Sequence, residues 1–509
     1  MALTIFNQES GRTISNNDYV VNYYHTHKYD NEHILVTVNH GGWVVLDKRE
    51  FDLLRFNRLN EDKQLKSLLE EKGLILTSNN KNFILKATKN KYHHTNRGTS
   101  LHILVPTLRC NLKCIYCHAK SVSPDKKGHD MTIETAKKTV DFIFQTTSSV
   151  ITIEYQGGEP TLNMEIVKYI REYAEEINKI HKKEIRFVIV TNFTTLTPEI
   201  LDYFVEKKID LCTSLDGPKE LHNHNRGYVG NPASTYDKVI ESIKYCQSKG
   251  VAMGALPSIT RESLNYPIEI IEEYRRLGFD SLMSRNLNFM GFAKELWSKI
   301  GYSPEEYLEF FEKQVDYMLE LNKKGTVFVD MKIKFILQRL LSVEPRTFTC
   351  FGAPCGAIVG QIAYDQEGNI FTCDEARSDD MFKIGNVRTH TYKDIIKNSA
   401  CKIVDITSGL STMCDNCHWQ PYCGTCIVAV KGAQGNVVTK LAWDHECKIR
   451  MGQLEYIMKK IIFDKDAREI FQHWAYPKKF PFPFKHRQTK EIDPNQQRIL
   501  ESVSQTKRS

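Results

Sequence analysis

From Leu101 onward the chain predicts an α/β fold built on a parallel sheet, open or partly closed as a barrel. Two observations carry this. Six apolar, β-rich runs, "LHILVPTL", "ITIEYQ", "FVIVTN", "LCTSL", "AMGALPSI" and "SLMSRNLNF", follow one another with amphipathic helical segments such as "TIETAKKTVDFIFQ" and "MEIVKYIREYAEEINKIH" between them. Cysteine, Gly-Gly-Glu, asparagine and serine groups also stand just after the runs, at the strand ends where parallel sheets gather their chemistry.

Residues 1–95 have a different character. "HILVTVNHGGWVVLDKREFDLLRFNRL" predicts two short strands around a turn at His40–Gly42, then a helix opened by Asp47. "EDKQLKSLLEEKGLIL" adds an amphipathic helix closed by Gly73 and a following strand. Strand, helix, helix and strand units of this size resemble a winged-helix fold, and the polar "ATKNKYHHTNRGTS" predicts a linker. Beyond the repeat, a helical stretch leads into a cysteine-rich region. The expected organisation is a winged-helix-like segment over 1–95, the strand–helix core over 100–300 and a helical bridge over 301–349. A cysteine-rich domain over 350–450 and a C-terminal helix with a basic tail over 451–509 complete it.

Composition narrows the function. A chain of 509 residues exceeds one compact core. No apolar run approaches the roughly 18 residues that span a bilayer, and "MALTIFNQESGR" lacks the basic and apolar regions of a secretory signal. The expectation is a cytoplasmic protein without membrane contact. Of the formal charge of +7, the tail from Tyr476 supplies +5 through eight Lys and Arg against three Asp and Glu, so the body offers no basic groove for nucleic acid. Fourteen cysteines in a reducing compartment then point away from disulfides. Eleven fall into two patterned sets. Cys212, Cys246 and Cys401 stand apart and read as ordinary thiols.

The first set, Cys110, Cys114 and Cys117 in "CNLKCIYC", follows the first strand of the repeat. Four thiolates would close a structural zinc or iron–sulfur site, whereas three leave one coordination position for a ligand. Completion as zinc by His118 or a distant residue is the alternative. At the second strand end, "GGEP" sets Gly157 and Gly158 where backbone can approach a ligand, with Glu159 as acceptor for an ammonium group. Asn192 ends the third strand; Ser214 in "SLDGP" ends the fourth, with Arg226 beyond it. Such groups suit ribose and carboxylate recognition. The second set reads Cys350, Cys355, Cys373, then Cys414, Cys417, Cys423 and Cys426 in "CDNCHWQPYCGTC", and Cys447. Eight thiolates close two four-cysteine sites, and spacing alone divides zinc from iron–sulfur evenly.

"CNLKCIYC", "GGEP" and "SLDGP" with Arg226, in this order over roughly 100–300, resemble the radical S-adenosylmethionine (SAM) superfamily. The resemblance implies a partial (β/α)6 TIM-like barrel and a [4Fe–4S] cluster on Cys110, Cys114 and Cys117, whose fourth iron binds SAM. It further implies that Gly157, Gly158 and Glu159 hold the SAM amino group, that Asn192, Ser214 and Arg226 contact the cofactor, and that Tyr116 lies near the adenine. A 5′-deoxyadenosyl radical would then take hydrogen from a substrate carbon. "GNIFTC" followed by C-x2-C-x5-C resembles the SPASM extension of peptide-modifying members, which implies two auxiliary [4Fe–4S] clusters and a C-terminal iron–sulfur domain. Carried over by position, Cys350, Cys355, Cys373 and Cys426 hold one, and Cys414, Cys417, Cys423 and Cys447 the other. Two residues, where the usual pattern has three, separate Cys423 from Cys426. Asp374 matches a proposed proton acceptor of sulfatase-maturating relatives.

"LHILVPTLRCNLKCIYC", "GQIAYDQEGNIFTCDEAR" and "CHWQPYCGTC" are similar to the B-type maturases of His-Xaa-Ser peptide systems, which work in a pair of radical SAM proteins. That similarity implies a His-Xaa-Ser repeat precursor as substrate, a side-chain crosslink as product, a paired second radical SAM protein, and a reductant such as flavodoxin or ferredoxin. The N-terminal segment would bind the precursor's leader by strand addition. Formylglycine formation on a sulfatase is a second reading. A non-catalytic, zinc-held regulatory protein is a third.

Overall fold

The structure, a computed structural model, describes residues 18–344, 350, 352, 355–398, 414–437 and 444–480. The N-terminal start, Cys401 and the basic tail past Phe480 lie outside these residues.

The N-terminal unit begins with an antiparallel meander of β1 (Tyr24–Lys28), β2 (Ile34–Val38) and β3 (Trp43–Leu46). β2 and β3 flank the expected Gly41–Gly42 turn. α1 (Lys48–Arg55) opens with a reciprocal capping box, Asp47 accepting from Glu50 N–H at 2.7 Å while Glu50 accepts from Asp47 N–H at 3.2 Å. α2 (Lys63–Glu71) follows, and Gly73, at φ +72°, turns the chain into Ile75–Leu76, which pairs with Val20–Val21. Every residue of β2 is buried, because the strand separates two apolar layers. Ile34, Val36 and Val38 join Leu46, Leu54 and Leu69 in the unit's own core, whereas Leu35 and Val45 face the opposite way into the main core.

The expected linker begins inside a helix, α3 (Lys81–Lys91), and continues through a short 3-10 turn at His93–Asn96. Its polar composition hides two tertiary anchors: Ala87 is buried, and Lys91 lays its stem inward and donates to Asn39 O at 2.6 Å.

The main body carries an eight-stranded sheet. In chain order its first five strands are β4 (Leu101–Leu104), β5 (Val150–Tyr155), β6 (Glu184–Thr191), β7 (Ile209–Thr213) and β8 (Met253–Ala255), all parallel and in that spatial order. The sixth run of the repeat continues the curl: Met283 N–H donates to Ala255 O at 2.9 Å, and Ser281–Leu282 pairs in parallel with Val329–Asp330. Helices such as α4 (Ile133–Ile143), α5 (Met164–His181) and α6 (Thr235–Ser248) bury their apolar stripes against it. The mixed α/β architecture, partial barrel and cysteine-rich C-terminal region expected from the sequence are all present.

Three strands come from outside the repeat. β9 (Gln361–Tyr364), from the cysteine-rich region, pairs in parallel with β4, and β10 (Asn369–Phe371) and β11 (Lys383–Asn386) extend that edge antiparallel. The cysteine-rich segment thus shares the core sheet. α7 (Pro304–Lys323), α8 (Met331–Leu341), α9 (His445–Phe463) and α10 (Lys465–Ala475) pack on one another beside it. No helix among the described residues is long and apolar enough to cross a membrane.

Candidate functional site

The carboxyl ends of the parallel strands open on a cavity. Cys110, Cys114 and Cys117 stand on its wall, on a loop held at several points. Cys110 N–H donates to Val122 O at 2.9 Å, and the Arg109 guanidinium spans Asp130 Oδ1 (2.8 Å), Pro124 O (2.9 Å) and Leu162 O (3.1 Å). Leu112–Cys114 pairs antiparallel with Arg226–Tyr228, which sets Arg226 opposite Cys114. On the far side Phe292 N–H donates to Cys117 O at 3.0 Å, and a β-carbon on Gly291 would meet that oxygen at 2.3 Å.

Donors face the sulfurs. Cys110 Sγ accepts from Leu112 N–H at 3.4 Å and Asn192 Nδ2 at 3.8 Å, and Arg226 Nη1 lies 4.0 Å from Cys114 Sγ. Burial pushes the Cys114 thiol up to about 12, and burial together with the neighbouring Cys114 and Glu159 charges raises Cys110 further. Buried thiols of this kind ionise only against a cation of their own. A single tetrahedral ion needs sulfurs about 4 Å apart. Among the described residues, the only His, Cys, Asp or Glu trio gathered within 4.8 Å is His27, His418 and Glu455, so these thiols are spread wider than one zinc would hold them.

Beside the thiols lies a cradle that tolerates no side chain. Gly157 adopts φ +128°, and a β-carbon there would meet Thr107 O at 2.5 Å; on Gly158 it would meet Arg109 O at 2.2 Å. Gly158 N–H donates to Thr107 O (2.9 Å) and Glu159 N–H to Arg109 O (2.7 Å), which ties the cradle to the cysteine loop. Glu159 does not line the cavity. Its buried carboxylate accepts from Thr161 Oγ1 (2.6 Å), Thr191 Oγ1 (2.7 Å) and Asn192 N–H (2.8 Å), so it braces the strand ends instead of facing a ligand.

Tyr116, Asn192, Ser214 and Arg226 all reach the wall. Sequence reasoning passed over the residue that orders two of them. Asp216, fully buried, accepts from Tyr116 Oη at 2.6 Å, Arg226 Nη2 at 3.1 Å and Ser258 N–H at 3.1 Å. Arg226 then lies 5.1 Å from the Tyr116 ring centroid, a cation–π contact. Its Nε is buried without a hydrogen-bond partner. The signal was the aspartate inside "SLDGP".

Asp374 comes from the cysteine-rich segment and joins the cavity wall beside His118, the residue after Cys117. Burial alone would raise its carboxyl, but Arg377 (2.5 Å) and His118 (3.3 Å) hold it well below the usual carboxylate range. Held by these two partners, it is a weak base in this state. His118 and Arg377 were not anticipated as its partners.

The eight remaining patterned cysteines separate into two neighbourhoods. Burial raises Cys373, and after Glu375 the negative charges that raise it further are Cys426, Cys355 and Cys350. Burial raises Cys447 to about 12, and its thiol neighbours are Cys423, Cys414 and Cys417. Gln361 Nε2 donates to Cys350 Sγ at 3.1 Å, so β9 also fixes part of the first set.

Residues 104–274 match the family model of the radical SAM superfamily, a stretch that runs from before Cys110 to beyond Arg226. The cysteine-type anaerobic sulfatase-maturating enzyme of Clostridium novyi (strain NT) is 23% identical over 64% of this chain and 87% of its own. The antilisterial bacteriocin subtilosin biosynthesis protein AlbA of Bacillus subtilis (strain 168) is 25% identical over 65% of this chain and 67% of its own. Among solved structures, native anSMEcpe with bound AdoMet and Cp18Cys peptide superposes with a TM-score of 0.62 at 21% identity, covering 73% of this chain and 99% of that one.

Proposed function

We propose that this chain, a radical SAM enzyme by its matched domain and its relatives, is a maturase that modifies side chains of a ribosomally made precursor peptide. The observation that carries the reading is the meeting, in one cavity, of the three-thiol loop, the glycine cradle and a wall from the cysteine-rich segment. In this reading Cys110, Cys114 and Cys117 hold a [4Fe–4S] cluster that binds SAM, which supplies a 5′-deoxyadenosyl radical able to take hydrogen from unactivated carbon. Gly157 and Gly158 admit the methionyl end of SAM where any side chain would collide with backbone oxygens. Asn192, Ser214 and Arg226 line the remainder, Tyr116 on the same wall would contact the adenine, and Glu159 braces Thr191 and Asn192.

Cys350, Cys355, Cys373 and Cys426 hold one auxiliary cluster and Cys414, Cys417, Cys423 and Cys447 another, three clusters in all. Their thiol neighbourhoods support that division. Oxidising a substrate radical requires an electron acceptor, and fully ligated clusters beside the cavity suit that task. Asp374, on the cavity wall, is the acceptor we assign to the accompanying proton. It accepts that proton once substrate loosens its pairing with His118 and Arg377.

The substrate we assign is a His-Xaa-Ser repeat peptide and the product a side-chain crosslink, with residues 1–95 as the leader-binding unit. A paired radical SAM protein and a flavodoxin or ferredoxin complete the system. Formylglycine formation is the second reading, favoured by the sulfatase-maturating relative. The test is anaerobic incubation with SAM, a reductant and either a His-Xaa-Ser repeat peptide or a sulfatase-derived cysteine peptide. A repeat peptide lighter by pairs of hydrogen atoms, formed with equimolar 5′-deoxyadenosine, is expected. Conversion of the cysteine peptide alone would move the assignment to the second reading.

A further inference from the structure

His27, on β1, His418, beside Cys417, and Glu455, on α9, come from three separate parts of the chain, yet their ligand atoms lie within 4.8 Å of one another. His27 Nε2 is 3.5 Å from Glu455 Oε1, and the two imidazoles stack with centroids 4.4 Å apart. His418 Nε2 is buried and has no hydrogen-bond partner. The other Glu455 oxygen accepts from Tyr29 Oη at 3.4 Å, an outer contact of the kind that orients ligating carboxylates. The segment bearing His418 is itself seated on the N-terminal sheet: Thr37 Oγ1 donates to His418 O at 2.9 Å, and Tyr422 Oη to Gly41 O at 3.3 Å.

An ion pair explains only part of this. Lys459 Nζ, 3.2 Å from Glu455 Oε1, already supplies a cation to the carboxylate. It supplies nothing to the buried His418 nitrogen, which a metal ion would satisfy. Two imidazoles and one carboxylate are the donor set of three-ligand zinc sites that keep a fourth position open, and imidazole selects zinc over magnesium or calcium.

We propose that His27, His418 and Glu455 bind one zinc ion that clamps the N-terminal sheet to the cysteine-rich segment and to the C-terminal helix. Binding displaces Lys459 from the carboxylate. The site shares no ligand with either cysteine set, and the proposal stands whichever substrate the enzyme takes.

The test uses the full-length protein with its iron loaded, stripped of loosely held metal and dialysed against Zn2+, with zinc and iron counted by mass spectrometry. The parent is expected to retain about one zinc per chain. His27→Ala and Glu455→Gln should each weaken zinc binding at least about tenfold with iron unchanged, because removing one of three ligands leaves an incomplete donor set. Zinc should also raise the melting temperature of the parent and not of the variants. Equal zinc in parent and variants, no zinc in the parent, or zinc that enters only as iron leaves would each overturn the proposal.

Discussion

Gly158 has no room for a β-carbon, since Arg109 O would lie 2.2 Å away and Leu108 O 2.5 Å away, both backbone atoms of a loop pinned on all sides. Gly158→Ala is therefore expected to cost about 2–3 kcal/mol in urea unfolding and to abolish SAM binding in equilibrium dialysis. Gly227→Ala, whose β-carbon would meet nothing within 4 Å, should stay within about 0.5 kcal/mol of the parent. Arg226 gives a second case. Arg226→Met leaves Asp216, fully buried, without its counter-charge, and should lower unfolding free energy by about 3 kcal/mol. Adding Asp216→Asn should restore part of that loss, and strict additivity of the two would refute the pairing. His102 makes stability depend on pH. Burial pushes its imidazole down to about 3, its nitrogens being engaged by Tyr364 Oη (2.9 Å) and Thr99 O (3.2 Å). A depressed histidine contributes stability that is full above about pH 6.5 and is lost as pH falls toward the folded value, at about 1.4 kcal/mol per pH unit. The gap in unfolding free energy between the parent and His102→Gln should therefore narrow by about 2 kcal/mol from pH 7 to pH 5. An unchanged gap would mean that His102 is protonated in the folded chain.

β9 joins the cysteine-rich segment to the core sheet through its register with β4, from Gln361 opposite Leu101 to Tyr364 opposite Leu104. Ile362 is fully buried on that strand, so Ile362→Ala should cost about 2–5 kcal/mol. Because the strand is shared, the loss should appear in one unfolding transition and not as separate melting of the cysteine-rich part. The six strands of the repeat were legible because parallel strands buried on both faces read as continuous apolar runs. "GQIAYDQEGNIF" also held two strands, but its interest lay in the flanking cysteine, and nothing local says that a strand 260 residues downstream pairs with Leu101–Leu104. α3 was hidden for the converse reason: its lysines and asparagines look like a linker until tertiary contacts bury Ala87 and Lys91. At the site, cysteine spacing and the glycine cradle are local and could be read. The turning of Glu159 away from the cavity, and the pairing of Asp374 with His118 across 256 residues, depend on packing and could not.

As a whole, the molecule is organised around two layers that meet at the cysteine-rich region. The N-terminal sheet gives one face to its own helices and the other to the segment bearing His418 and Tyr422, while β9 carries the same region into the barrel sheet. The cavity wall is therefore assembled from both parts, the thiol loop of the barrel and Asp374 and Glu375 of the cysteine-rich region. Such an arrangement brings residues of the cysteine-rich region to the cavity without interrupting the core barrel. We propose that the three-thiol loop and the two four-thiol sets each hold an iron–sulfur cluster. The direct test is iron and sulfide content after anaerobic purification, comparing the parent with Cys110→Ala/Cys114→Ala/Cys117→Ala. About twelve irons in the parent and about eight in the variant is the predicted result. A parent with only about four irons, or a variant that loses none, would contradict it.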